Sequence, residues 1–429
     1  MNISEFDNNI NKYNLLINIL EWDKDFIAPE GSRAYKSKIA SELIIDKHNY
    51  ILRNFPNVTN DGSRAYELFY IDYLYSYGLS NELEKKMNAV TAACIEKYKM
   101  ARKKCDYNIV REEFANLVAC KVEEIACLRV EGDSNYEKLL NYFCGKSFVA
   151  VMDDLMNSIK KALLHTFCYQ EKEEGDRSIN NIGLEEIKDL FIENGVITEN
   201  VVFQKDVDIS CLQIEPTDCR MTYSQQIRSN AAKHEMGHII YMQNISKELH
   251  YYVYQKPLSL VFDEAIALLY EMILDDYGTL KEKKYTRTPI RIECTNLQRL
   301  MHIVLRYELE RDLLNEKINP KEVDKIWNEK FKKLFGYQLE SDNEGILQDS
   351  HWFMGAFGYF PVYNAAFALA LIIYEKLELY NKSKSLVLSE LKEKILVYGA
   401  SKDEREILDE LGITDFVKEF KECFSKLTI

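Results

Sequence analysis

The stretch AAKHEMGHIIYMQ, residues 231–243, sets His234 and His238 four residues apart with Glu235 directly after the first histidine. On an α-helix positions i and i+4 lie one above the other, so the two imidazoles share a face and can bind one metal ion. Glu235 is rotated by one residue to the edge of that face, where it can hold a water molecule beside the ion instead of ligating. The alternative is an ordinary helix that contains those letters. With 7 histidines in 429 residues, a chance His-Glu-x-x-His is expected in roughly one such sequence in a hundred.

Immediately upstream, Thr222-Tyr223-Ser224-Gln225 has the S/T-x-x-E/Q form of a capping box, which predicts a helix starting there and running through residue 243. Before that, VVFQKDVDIS (201–210) alternates and is rich in Val, which predicts a short strand paired near CRMTY (219–223). The rest of the chain is helical in rhythm. Residues 11–21, 31–54, 63–78, 81–103, 109–130, 134–144 and 146–170 place apolar side chains at three- and four-residue spacing. The charged run YQEKEEGDRSIN (169–180) lacks that rhythm and reads as a loop. Gly (16) and Pro (7) are sparse, which suits long helices with few tight turns. The expected fold is mostly α: one domain over residues 1–429, with an N-terminal half (1–200), a catalytic half (201–429) and a small sheet beside the metal helix.

A metal site built on two histidines needs a third protein ligand and an open position. Downstream of Pro257, KPLSLVFDEAIALLYEMIL is an apolar helical run that carries Asp263, Glu264 and Glu271. Acids inside such a run are costly to bury unless they ligate or pair with a cation. Glu264 follows His234 by thirty residues, a separation found where the third ligand is a glutamate on the next helix. Two histidines and a glutamate, with Glu235 as base, form a thermolysin-like arrangement. Further on, LQDSHWFMGAFGYFPVYNAAFALALI gathers Gln348, Asp349, His351, Tyr359 and Tyr363 among glycines. A hydrolase that forms a tetrahedral oxyanion needs a neutral or cationic donor opposite the metal, and His or Tyr can serve.

The net charge of −14 and pI near 5.2 argue against a nucleic-acid surface, which calls for clustered Lys and Arg. No run approaches the 18 or so uncharged apolar residues of a membrane span, and the polar start MNISEFDNNINKYN has no signal-peptide pattern. Ten cysteines are scattered singly, several within helical apolar patterns (Cys94, Cys120, Cys127, Cys144). They read as reduced core thiols, and the expectation is a soluble, cytoplasmic protein without membrane attachment.

Taken together, these segments resemble the thermostable carboxypeptidase Taq family of metallocarboxypeptidases over nearly the whole chain. ILEWDKDFIAP (19–29) is similar to its N-terminal Trp-Asp segment, DCRMT (218–222) to its Asp-x-Arg-x-Thr motif and HEMGH to its metal helix. PIRI supplies the Arg of its Ile-Arg motif, and LRYELERDLL (305–314) its following helix. LQDSHW (347–352) resembles its Gln-Asp-x-His-Trp motif and GYFPVY (358–363) its Gly-Tyr-Phe-Pro-Thr-Tyr motif. The chain departs from the pattern at SCLQIEPT, where the family has His-Pro-Phe, at Ala265-Ile266 after the third ligand, and at Thr295, where the Ile-Arg motif ends in Asp.

The resemblance implies an all-α peptidase with two halves around a deep groove, usually a homodimer, that removes single C-terminal residues from peptides with zinc or cobalt. It implies His234, His238 and Glu264 as ligands and Glu235 as base. Arg291 would meet the substrate carboxylate, a task suited to a bidentate guanidinium, with Arg220 and Tyr359 as further substrate-binding residues. His351 and Tyr363 would stabilise the oxyanion. The rivals are another peptidase specificity on the same groove, releasing dipeptides or cutting oligopeptides internally, and a catalytically silent relative that binds peptides.

Overall fold

The structure is a computed structural model that describes residues 1–76, 80–164, 181–206, 209–224, 227–274 and 296–426. Among these residues the protein is mostly α-helical with a small three-stranded sheet, as the periodicity predicts. The predicted loop at 169–180 and Arg291 lie outside the described residues. No helix is long and apolar enough to cross a membrane among those described.

The chain divides into two compact units, each assembled from three segments. The first comprises Met1–Ser76, Arg177–Thr279 and Ala366–Cys423, and the second Tyr77–Asp176, Leu280–Ala365 and Phe424–Ile429. These segments interleave along the sequence.

In the first unit the N-terminal helix Ile3–Trp22 and the helices Glu30–Asn54 and Arg64–Ser76 close on a core that includes Phe6, Ile10, Ile51, Phe55 and Phe69. Phe6 contacts Phe55 and Phe69 edge-on, with ring centroids 5.5 and 5.0 Å away, an arrangement that aromatic quadrupoles favour. Of the strand predicted over 201–210, Val201–Lys205 forms and pairs with Asp218–Tyr223, in parallel, with Phe203 opposite Met221, while Ser210 opens a separate strand. Ser210–Glu215 joins the other edge antiparallel.

The capping box at Thr222 does not form. Thr222 is fully buried in the strand Asp218–Tyr223, with its hydroxyl 3.0 Å from Ser210 Oγ across the ladder. The helix begins later, at Ser229, and ends at Gln243. A β-branched residue fits a pleated strand well, and here pairing with a neighbouring strand outweighs the local capping signal.

Residues 244–259 connect this motif helix to the next, Leu260–Leu274, and are pinned from several sides. Val253 N–H donates to Asp7 Oδ2 at 3.0 Å, Leu258 N–H to the Tyr241 hydroxyl at 3.0 Å, and Ala65 N–H to the Tyr254 hydroxyl at 3.0 Å. Burial pushes the Asp7 carboxyl up to about 6, against the lowering effect of its bonds to Val253 and Asn11.

The second unit packs the helices Asn81–Lys104, Arg111–Cys127, Asn135–Cys144, Lys146–Leu163, Asn296–Leu314 and Val323–Phe335. Serines cap two of them: Ser80 accepts from Leu83 N–H at 3.1 Å and Ser134 from Glu137 N–H at 3.2 Å. Each satisfies an amide that the helix itself leaves open. Cys94, Cys120 and Cys144 are buried in these helices, as their apolar surroundings predict, whereas Cys127, at the last position of its helix, is only half-buried.

Candidate metal centre

The motif helix carries its polar residues on an otherwise buried rod: Ala232, Met236, Ile239, Ile240 and Tyr241 are all fully buried. Its partner, Leu260–Leu274, is apolar on nearly every side, the pattern of a helix enclosed by protein. The two come close at Gly237. A Cβ placed there would stand 2.5 Å from Ala267 Cα and 3.0 Å from Ile266 O, so only glycine lets the backbones approach this far. That approach sets the distance between the histidines on one helix and the acids on the other.

The result is a compact donor set. His234 Nε2 lies 3.3 Å from His238 Nε2 and 3.3 Å from Glu264 Oε2. One ligand atom from each of the three residues falls within 4.8 Å of the other two. Two imidazole nitrogens and a carboxylate oxygen facing one another is the donor chemistry of a divalent-ion site with room for water or substrate. The residues therefore fit the metal that the sequence implies.

The other two acids of the apolar helix stand behind the rings. Glu271 Oε1 is 2.7 Å from His234 Nδ1, and Asp263 Oδ1 is 3.0 Å from His238 Nδ1. A carboxylate beside Nδ1 would hold that nitrogen as the donor and leave Nε2 free to face an ion. Gln213, on the strand Ser210–Glu215, supports this shell by donating to His238 O at 2.8 Å and to Asp263 Oδ1 at 3.3 Å.

The sequence singled out Asp263, Glu264 and Glu271 together but gave no orienting role to Asp263 or Glu271, and it missed Gln213. Three acids in one apolar helix were the available signal. Asp263→Asn and Glu271→Gln are each expected to weaken metal binding about 10- to 100-fold, the usual cost of losing such a partner, as read by competition with a metal-binding dye. Affinity unchanged in both variants would mean that the pairs do not orient the histidines.

Burial alone would lower the pKa of both imidazoles, but the acids reverse it. His234 is raised to about 10 by Glu264 and Glu271, and His238 to about 9, chiefly by Asp263. An incoming ion must displace protons here, so uptake is favoured by rising pH. Glu235 is half-buried beside these rings. Burial raises its carboxyl above the usual range while His238 and His234 pull it down.

Arg220 pairs with Asp218 within its own strand. Its Nε and a terminal nitrogen fork onto Asp218 at 2.9 and 2.8 Å, and its guanidinium lies 5.9 Å from the centroid of the buried Trp22 ring. Two segments far apart in sequence, EWDKD and DCRMT, thus meet.

In the second unit His351, Tyr359 and Tyr363 come together. His351 Nδ1 is 2.9 Å from Asp349 Oδ1, its ring stacks near Tyr359 at 6.3 Å, and the Tyr363 hydroxyl donates to that of Tyr359 at 3.2 Å. Arg299, which the sequence did not flag, places its guanidinium 4.8 Å over the Tyr363 ring. Burial would raise the Asp349 carboxyl, but Arg306 and His351 hold it well below the usual carboxylate range.

The sequence profile of the carboxypeptidase Taq (M32) metallopeptidase family matches residues 2–278 and 277–420. The chain belongs to this family. Carboxypeptidase 1 of Bacillus subtilis is 23% identical to it over 422 residues, covering 86% of this chain and 83% of that protein. Thermostable carboxypeptidase 1 of Thermus thermophilus is 26% identical over 170 residues, 34% of this chain and 33% of that one.

Among solved structures, Pyrococcus furiosus carboxypeptidase superposes with a TM-score of 0.82 at 19% identity, covering 100% of this chain and 98% of that one. Trypanosoma cruzi metallocarboxypeptidase 1 gives 0.81 at 20% identity, covering 99% and 98%. At such identities the structural likeness speaks for the fold. This M32 chain is a metallocarboxypeptidase, with a divalent metal ion implied by its family and peptides as its expected substrates.

Proposed function

We propose that this metallopeptidase removes single C-terminal residues from peptides, with His234, His238 and Glu264 holding zinc, or cobalt in its place, and Glu235 acting as general base. The observation that carries the reading is the set of three donor atoms within 4.8 Å of one another, backed by a carboxylate on the far nitrogen of each histidine. When bound, the ion acts as a Lewis acid toward the scissile carbonyl and acidifies water. Glu235 takes a proton from the attacking water and returns it to the leaving amine, a task that suits a carboxyl raised by burial. His351 and Tyr363 donate hydrogen bonds to the developing oxyanion, with Asp349 fixing the orientation of His351. The whole chain works as one peptidase, as a homodimer in the cytoplasm.

Arg291 receives the substrate's terminal carboxylate, supported by its place in PIRIEC, with Tyr359 and Arg220 shaping the rest of the binding surface. The test compares one blocked peptide as free acid and as C-terminal amide, on metal-analysed wild type and on Arg291→Ala. The free acid is expected to be the better substrate and the variant to lose most of that preference. Arg291→Lys should rescue little, because an ammonium cannot reproduce the guanidinium fork. Equal cleavage of both peptides, unaffected by Arg291→Ala, would replace the exopeptidase reading with an oligopeptidase one.

A further inference from the structure

A cavity of about 410 Å³ lies in the first unit, among the N-terminal helices, the strand Ser210–Glu215 and the segment that joins the two metal helices. Three charged side chains line it: Lys47, Asp72 and Lys256. Lys47 is half-buried, and its ammonium donates to the Asn14 side-chain oxygen at 3.2 Å. Burial lowers its pKa, and while Asp72 opposes that effect, the second cation, Lys256, adds to it. Among the described residues none of the three forms an ion pair. Two cations and one carboxylate therefore line a common space with no ion pair among them, although Asp72 acts on Lys47 and Lys256 on the neighbouring Asp7 through the electrostatic field.

The rest of the wall is substantially apolar, with Ile17, Ile44, Ile214 and Met242 among its residues. A ligand that matches this wall carries a carboxylate for the lysines, an ammonium for Asp72 and an aliphatic group for the isoleucines. Its size falls within the range of small-molecule sites. We propose that this cavity binds a free α-amino acid with an apolar side chain, its carboxylate between Lys47 and Lys256 and its ammonium on Asp72, with water filling the remaining volume. Gln213 belongs to the same wall and is bonded to His238 O and Asp263, so the occupant touches the shell of the metal centre. Such an amino acid is what the proposed exopeptidase reaction releases. That source rests on the reading above, whereas the binding itself does not.

The experiment is calorimetric titration of the full-length protein, both as purified with its metal and after chelator treatment, with L-leucine, L-leucinamide and 4-methylpentanoate. Leucine is expected to bind saturably, and each analogue, lacking one charge, about tenfold more weakly or worse. Lys47→Met and Asp72→Asn should weaken leucine by a similar factor. Lys256 is exposed, so Lys256→Met tests the same charge without disturbing the core and must show the loss even if Lys47→Met misfolds. No saturable binding up to tens of millimolar, equal binding by all three probes, or wild-type affinity in Lys256→Met would overturn the proposal. So would binding that needs the metal, because the amino acid would then sit at the ion. Leucine binding by a protein that hydrolyses no peptide would leave this site standing and remove the exopeptidase reading; hydrolysis without binding does the reverse.

Discussion

Glu235→Gln is expected to slow peptide hydrolysis on the order of a hundredfold to ten-thousandfold, the usual worth of a positioned general base, while metal content stays at the wild-type level. The amide keeps the size and position of the carboxylate but cannot accept a proton. Glu235 sits one residue round the helix from His234, outside the set of donors that face one another, so the substitution spares the ligands. Its carboxyl is raised by burial and lowered by both histidines, and it would take a proton more readily than an exposed glutamate. The check is initial rates on a blocked dipeptide together with metal analysis of the same preparation. Wild-type turnover would take Glu235 out of the mechanism, and loss of the metal would make it part of the metal-binding shell.

Glu310→Ala is expected to destabilise the second unit by on the order of 5 kcal/mol. Glu310 is fully buried and accepts from Gly358 N–H at 3.0 Å and the Tyr136 hydroxyl at 2.9 Å, as well as from the Trp352 indole N–H. Removing it strands three buried donors, each costing about 1–3 kcal/mol, besides leaving a cavity. Burial pushes this carboxyl up to about 7 against the pull of those donors and of Arg306. Arg306 is itself buried, with Trp327, Trp352 and Phe360 ring centroids 5.1, 4.9 and 4.2 Å from its guanidinium.

The loss should be visible as a lower urea midpoint. Because Trp352 and Gly358 adjoin His351 and Tyr359, activity should fall with it even where the protein remains folded. Glu310→Gln, which keeps an acceptor oxygen, should lose less. A midpoint equal to wild type in Glu310→Ala would show that water replaces the carboxylate at no cost.

Much of this molecule was legible along the chain. Helices at 31–54, 81–103 and 134–144 were readable within a residue or two of Glu30–Asn54, Asn81–Lys104 and Asn135–Cys144, because a 3.6-residue apolar rhythm is written locally. The pairing of His234 with His238 was readable for the same reason: both belong to one helix, and the helix fixes their relation. The motifs that carry the family resemblance are likewise short and contiguous.

What the tertiary structure alone decided are relations between segments. The thirty-residue separation from His234 pointed to Glu264, but nothing in the spacing of Asp263, Glu264 and Glu271 says that the other two stand against the Nδ1 atoms of the rings. The close crossing at Gly237 and Ala267 settles it. Thr222 read as a helix cap and became a strand residue, because pairing with strands on both sides outweighed the local capping signal. Arg220 read as a substrate-binding residue from the family resemblance, and that its fork lies on Asp218 could not be seen in the sequence. The cavity between Lys47, Asp72 and Lys256 joins side chains from three distant stretches. The common reason is physical: periodicity and helix geometry act over a few residues and can be read from order alone, whereas burial, ion pairing and ligand convergence depend on which surfaces the hydrophobic core brings together.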